Sequence, residues 1–215
     1  MRSIHSVVAE ILDRHPFLDE VVSEGVGNTT EIARRIQPDV EKRLYEKVTL
    51  ASISMALHRL SKERTHPNSG SHYLKQLRDI TVRSKIIECI LPNTKNLPNI
   101  FESLLQATKG RKDVFLSISQ GLHETVIMIN AEYEKDLRVL CKNEKPKILH
   151  DLSVITLQLP ESSLPVPGVY YPILKALAAE NISFVEILSV NTELSIAFND
   201  TDVDKAFAVL KRITL

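Results

Sequence analysis

From Ile4 to Arg64 the apolar residues recur in steps of three and four, the spacing that gathers them on one face of a helix. Ile4, Val8, Ile11 and Leu12 predict an amphipathic first helix ended by Pro16, and Phe17, Leu18, Val21 and Val22 a short second element stopped by Gly25 and Gly27. Asn28-Thr29-Thr30 is a capping sequence for a third helix, Glu31 to Ile36, with Glu31 early, where the helix dipole favours an acid. Pro38 is expected to open a short fourth. A last helix runs from a Thr49 cap to about Arg64, with Leu50, Ile53, Leu57 and Leu60 on the inner stripe and Ser52, Met55, Arg59 and Lys62 outward. Residues 1–64 read as an all-helical module.

Thr65-His66-Pro67-Asn68-Ser69-Gly70-Ser71-His72 is polar and rich in breakers, and marks a linker over residues 65–73. Beyond it, runs with a period of two alternate with helical ones. The predicted strands are Leu77 to Val82 continuing through Ile87 to Pro92, then Val114 to Ser119, Thr125 to Asn130, Lys147 to Leu149, Ser153 to Leu159, Ser183 to Leu188, Glu193 to Phe198 and Ile213 to Leu215. The predicted helices are Pro98 to Thr108, Tyr133 to Lys142, Val169 to Glu180 and Asp202 to Lys211.

This half of the chain repeats itself. Displaced by 69 positions, Pro98 falls on Pro167, Leu104-Leu105 on Ile173-Leu174, Phe115 on Phe184, Ile118 on Ile187, Glu124 on Glu193, Ile127 on Ile196 and Asn130 on Asn199. Each copy reads strand, helix, strand, strand, helix, strand, the ferredoxin-like order. The expected fold class is therefore α+β: a helical module followed by two tandem ferredoxin-like (βαββαβ) domains, residues 74–146 and 147–215.

The second copy carries a resemblance. Leu159-Pro160, Pro167-Gly168-Val169-Tyr170-Tyr171-Pro172-Ile173-Leu174, Glu180-Asn181-Ile182-Ser183 and Thr192-Glu193-Leu194 together resemble the regulatory ACT domain, in the tandem form found at the C-terminus of aspartokinases. The resemblance covers Asp151 to Arg212 well and Leu77 to Cys141 more loosely. It implies a small-molecule sensor that binds an amino-acid effector beside the first helix, and a homodimer formed through the ACT-like domains. The effector-binding residues it implies here are Glu161, Ser163, Val166, Pro167, Gly168 and Val169. Physical chemistry favours the same place: unpaired N–H groups at a helix N-terminus suit a carboxylate, and a glycine lets a ligand approach the backbone. The plain alternative is that Gly168 is only a cap. In the first copy Asn99 stands where Gly168 stands in the second, which marks that copy as a structural partner.

The N-terminal module is similar to the helix-turn-helix modules of transcription regulators, in which Ser, Thr and Arg of a second helix reach base edges. Its candidate DNA-contacting residues are Arg34, Ser52, Arg59 and Lys62. Two features weigh against DNA: the long separation of Ile36 from Thr49, and a balance of basic and acidic residues where phosphate binding favours a basic surplus. The alternative is a helical packing or dimerisation module.

Composition narrows the remaining classes. Lys+Arg and Asp+Glu are equal at 27 each, so no general basic field points to nucleic acid or to a membrane surface. No apolar run is long enough to span a bilayer, and the isolated Cys89 and Cys141 read as buried free thiols of a reducing, cytoplasmic protein. With six glycines there is no Gly-rich phosphate loop, and no Ser or Cys nucleophile has a neighbouring His in a usable pattern. Glu124 and Glu193 are the one carboxylate pair that a twofold relation of the copies would bring together, with strand-edge ion pairing as the plainer reading. No metal site or cofactor is expected, and the chain reads as a non-enzyme. Two functions remain: an amino-acid-responsive regulatory protein that couples effector binding to DNA or partner binding, and a ligand-independent assembly subunit acting by protein–protein interaction.

Overall fold

The computed structural model describes residues 2–64 and 69–214. These fall into two units, Met1–Asn68 and Ser69–Leu215. Part of the predicted linker, residues 65–68, lies outside the described residues.

The first unit is helical: α1 (Ile4–Asp13), α2 (Pro16–Ser23), α3 (Thr29–Leu44) and α4 (Leu50–Glu63). Two helices start on the expected caps, Asn28 and Thr49, and α1 on a Ser3 cap the sequence reading did not name. Ser3 Oγ accepts from Ser6 N, Asn28 Oδ1 from Thr30 N and Glu31 N, and Thr49 Oγ1 from Ser52 N, each removing an orphan donor of the first turn. Val7, Val8, Ile11, Ile36, Val40, Ile53, Leu57 and Leu60 fill one core. Pro38 does not open a new helix; it lies inside α3. It is exposed, so the carbonyl it deprives of a partner can be hydrated. The connection to α4 is therefore only Tyr45 to Thr49, much shorter than the gap predicted from Ile36, with Tyr45 closing α3 in the left-handed region at φ 58°. Arg64, at the end of α4, pins the bundle: Nη1 donates to the buried Asp19, and Nη2 donates to Ala9 O at 3.0 Å and to Asp13 Oδ1 at 2.8 Å.

The second unit begins with a helix, α5 (Ser69–Leu74), where the sequence suggested linker. Leu74 is fully buried in the core that follows. Then come β1 (Asp79–Pro92), α6 (Leu97–Ala107), β2 (Leu116–Gln120), β3 (Glu124–Asn130), α7 (Glu134–Leu140), β4 (Lys147–Gln158), α8 (Tyr171–Ala179), β5 (Glu186–Val190), β6 (Glu193–Asn199) and α9 (Val203–Thr214). The strands make one antiparallel six-stranded sheet in the order β2-β3-β1-β4-β6-β5. Two predicted strands are absent as separate elements. Lys147 to Leu149 runs on without a break into the strand predicted from Ser153, and Ile213-Thr214 completes α9. Lys205 Nζ and Arg212 Nη2 hold α9 to the end of α8 through Glu180 O at 2.7 Å and Glu180 Oε1 at 2.8 Å. Leu215 lies outside the described residues.

The long central strands β1 and β4 each serve both halves of the sheet, which regular strands would prevent. Ile80 packs with Ile155 and Leu157 under α8 and α9, while Ile87, Cys89 and Leu91 pack with Ile148 under α6 and α7. Ile80 and Ile87 are an odd number of positions apart, as are Ile148 and Ile155. In an unbroken strand each pair would point to opposite faces. The register of β1 on β4 shifts between Arg83 and Glu88, and Lys85 and Asp151 take left-handed conformations at φ 58° and 55°. One extra residue in each strand reverses the alternation, and all four helices dock on a single face. The other face carries Ile86, Met128, Leu152, Val154 and Ala197 as one apolar cluster.

The topology keeps Glu124 and Glu193 apart. Glu124 pairs with Pro92 at the end of β1, and Glu193 with Gln158, which pairs with Asp79 at its beginning. The length of β1 separates the two carboxylates. Cys89 and Cys141 are free and buried; a hydrogen bond with Cys141, reinforced by burial, pushes the Cys89 thiol far above its ordinary value.

Candidate functional site

The two halves of the sheet differ most between their first long strand and first helix. From β1 the chain reaches α6 through Asn93 to Asn96 alone, and this short loop is sealed: Asn93 N donates to His123 O at 3.1 Å, Asn93 Nδ2 to Gly121 O at 2.8 Å, and Thr125 Oγ1 to Asn93 Oδ1 at 2.7 Å. From β4 to α8 the loop runs from Leu159 to Tyr170 and contains a short 3₁₀ turn, Glu161–Ser163. It borders a half-open cavity of about 310 Å³ lined by Leu159, Ser163, Leu164, Val166, Gly168, Val169, Tyr170 and Tyr171.

Ser163 holds the floor. It is buried, its Oγ donates to Pro160 O at 2.7 Å, its N–H reaches the same carbonyl, and its own carbonyl accepts from Val166 N at 3.0 Å. The hydroxyl thus braces the turn. Gly168 sits at φ 74°, and a Cβ there would meet nothing within 4 Å. The glycine is needed for its conformation, and the space beside it is open. Tyr171 N donates to Gly168 O at 2.9 Å, while the N–H groups of Gly168, Val169 and Tyr170 make no hydrogen bond among the described residues. Tyr170 is the residue before α8, with no side-chain cap, and its hydroxyl meets Ser189 Oγ on β5 at 2.8 Å. Pro172 fixes the first turn of the helix.

Of the effector-binding residues expected from sequence, Ser163, Val166, Gly168 and Val169 line the cavity; Glu161 and Pro167 are exposed and do not. Helix α8 starts at Tyr171 rather than Val169, because Gly168 takes a left-handed conformation and the helix can begin only after it, with Tyr170 as its N-cap. Sequence reasoning missed Leu159, Leu164 and the two tyrosines as lining. The pairing of an aromatic dipeptide with the Pro-Gly turn was the signal available.

The candidate DNA-contacting residues are spread over two helices of the first unit. Arg34 is exposed on α3 and bonded to Glu31. Arg59 and Lys62 are exposed on α4, and Ser52 is half-buried, engaged with the Thr49 cap. Among the described residues no group of three or more His, Cys, Asp or Glu side chains is placed to hold a metal, and no helix is long and apolar enough to cross a membrane.

No protein-family model matches the chain, and no curated protein matches it. Solved structures do. The regulatory subunit of aspartate kinase from Thermus thermophilus, in its ligand-free form, shares 10% identity at a TM-score of 0.54, over 65% of this chain and 99% of that one. The corresponding subunit from Thermus flavus gives 7% identity and a TM-score of 0.50, over 65% and 99%. The aspartate kinase of Clostridium acetobutylicum gives 13% and 0.53, over 65% of this chain but only 35% of the enzyme. At these identities the likeness is one of fold. The α+β fold is shared, over about 65% of this chain, with aspartate kinase regulatory subunits.

Proposed function

We propose that this chain is a non-catalytic, amino-acid-responsive regulatory protein. In this reading the sheet consists of two tandem ACT-type, ferredoxin-like units, bounded at 74–146 and 147–215. The start of β4, just past the first bound, lies along the first unit as its last strand, and the start of β1 lies along the second in the same way. The effector lies in the cavity between β4 and α8, with its carboxylate toward the N–H groups of Gly168 to Tyr170 at the positive end of the helix. The observation that carries this is the asymmetry of the two halves: one loop is short and sealed by Asn93, the other long and wrapped around a cavity. The shared fold with regulatory subunits supports a regulatory rather than a catalytic role. The helical residues 1–64 are the output, meeting DNA or a protein partner, and a homodimer forms through the ACT-type units.

A thermal-shift screen of the full chain against the twenty amino acids tests the sensing role. Specific stabilisation by one or a few supports it, because a ligand that binds only the folded state adds RT ln(1 + [L]/Kd). Stabilisation by none refutes it and favours ligand-independent assembly, a reading to which the half-exposed Leu164 and Tyr171 at the cavity mouth lend support. For DNA, a salt-dependent mobility shift that survives Arg34→Glu with Arg59→Glu would exclude these residues as the groove readers.

A further inference from the structure

We infer that the effector of this site has an uncharged, predominantly apolar side chain, of the size and chemistry of leucine, isoleucine, valine or phenylalanine, and that charged amino acids are rejected. This rests on the cavity being the effector site, and it goes on to say what the cavity selects. None of its eight lining residues carries a charge. Leu159 forms a buried floor, Val166, Val169 and Tyr170 are half-buried walls, and Leu164 and Tyr171, 51% and 42% exposed, make the rim. Ser163 Oγ bonds Pro160 O and Tyr170 Oη bonds Ser189 Oγ, while the nearby ammonium, Lys175 Nζ, stays outside the lining, 5.7 Å from the centroid of the Tyr171 ring. Glu161, the nearest carboxylate in the loop, faces solvent outside the lining.

The mouth is open at Leu164, Gly168 and Tyr171, where the α-ammonium and α-carboxylate common to all amino acids keep water or meet backbone N–H groups; a second charge carried in against Leu159, Val166 and Val169 would lose its water and find no counter-charge among the lining residues, a loss that apolar contact cannot offset. An aliphatic or aromatic side chain loses nothing of the kind and gains burial against Leu159, Val166 and Val169. A volume of about 310 Å³ sits at the small end of ligand pockets, suited to a single amino acid and not to a nucleotide.

The experiment is a calorimetric and thermal-shift comparison on the full chain, with leucine, isoleucine, valine and phenylalanine against lysine, arginine, aspartate and glutamate at equal concentration. At least one of the first group is expected to bind at least about tenfold more tightly than any of the second, the factor that one uncompensated buried polar group imposes. Leu164→Glu places a carboxylate on the half-exposed rim without touching the core. It is expected to weaken leucine binding and strengthen lysine binding, whereas Leu164→Gln does not strengthen lysine binding. Tighter binding of lysine or aspartate by the unaltered protein overturns this selectivity but leaves the sensing role standing. Binding by no amino acid overturns both. Leucine binding that is indifferent to Leu164→Glu overturns the assignment to this cavity.

Discussion

Glu88 offers the sharpest test of the tertiary structure. It lies in the middle of β1, paired across to Met128 on β3 and Leu149 on β4, and is only 3% exposed. Alternation puts it on the face of the Ile86, Met128, Leu152, Val154 and Ala197 cluster, and its Oε2 has no hydrogen-bond partner among the described residues. Burial first, and then the charge of Glu186, raise its carboxyl above the ordinary 4.5, with Lys147 opposing. The folded protein therefore holds this proton more tightly than the unfolded chain does. The stability it contributes is fully present below the unfolded-state pKa and is lost as pH rises through the folded one, so that at pH 7 the side chain is a net cost. An unsatisfied buried polar group costs about 1–3 kcal/mol. Glu88→Met is expected to stabilise the second unit by about that much at pH 7, and Glu88→Gln by less, since an amide still wants partners. Urea unfolding at pH 7 and at pH 4 measures both. The gain from Gln should shrink toward zero at the lower pH, where the native carboxyl is protonated. A Glu88→Met that destabilises equally at both pH values would show that the carboxylate is compensated, and would refute the burial argument.

Other consequences are open to equally direct checks. Arg64→Ala removes the guanidinium that bonds Asp19, Ala9 O and Asp13; loss of these charge-assisted bonds predicts about 1–3 kcal/mol of destabilisation in the first unit by denaturant titration, partly recovered in the double variant with Asp19→Asn. Gly168→Ala meets no steric obstacle but forces a left-handed residue, so it should cost about 1–2 kcal/mol in thermal unfolding, and Gly168→Asn less, because Asn tolerates that region. Deleting Lys85 removes the extra residue of β1 and turns Ile80 away from its core; it should destabilise far more than Lys85→Gly, which keeps the bulge, and circular dichroism melts compare them. Cys89 and Cys141 should both be inert to a thiol reagent in the native protein and react together on unfolding.

Much of this protein is written in local pattern. The caps at Asn28 and Thr49, the inner stripe of α4, the 69-residue echo that sets β3 onto β6, and the Pro-Gly turn ahead of α8 all depend on short-range backbone preferences and on periodicity, which are properties of neighbouring residues. So is the loop that holds four of the six expected site residues beside one cavity. What the pattern could not carry is whatever depends on a partner distant in sequence. Pro38 stays inside α3 because helix-forming neighbours and the packing of Ile36 and Val40 outweigh the one hydrogen bond it removes. Lys147 to Leu149 and Ser153 to Gln158 become a single strand only because β1 runs the full length beside them. Lys85 and Asp151 look like ordinary strand residues until two cores on one face require the alternation to reverse. Sequence by itself determined most of the helices and strands and pointed to the loop ahead of α8; the tertiary structure decided where strands fuse and bulge, because hydrogen-bond register and the facing of side chains are settled only between strands, never within one.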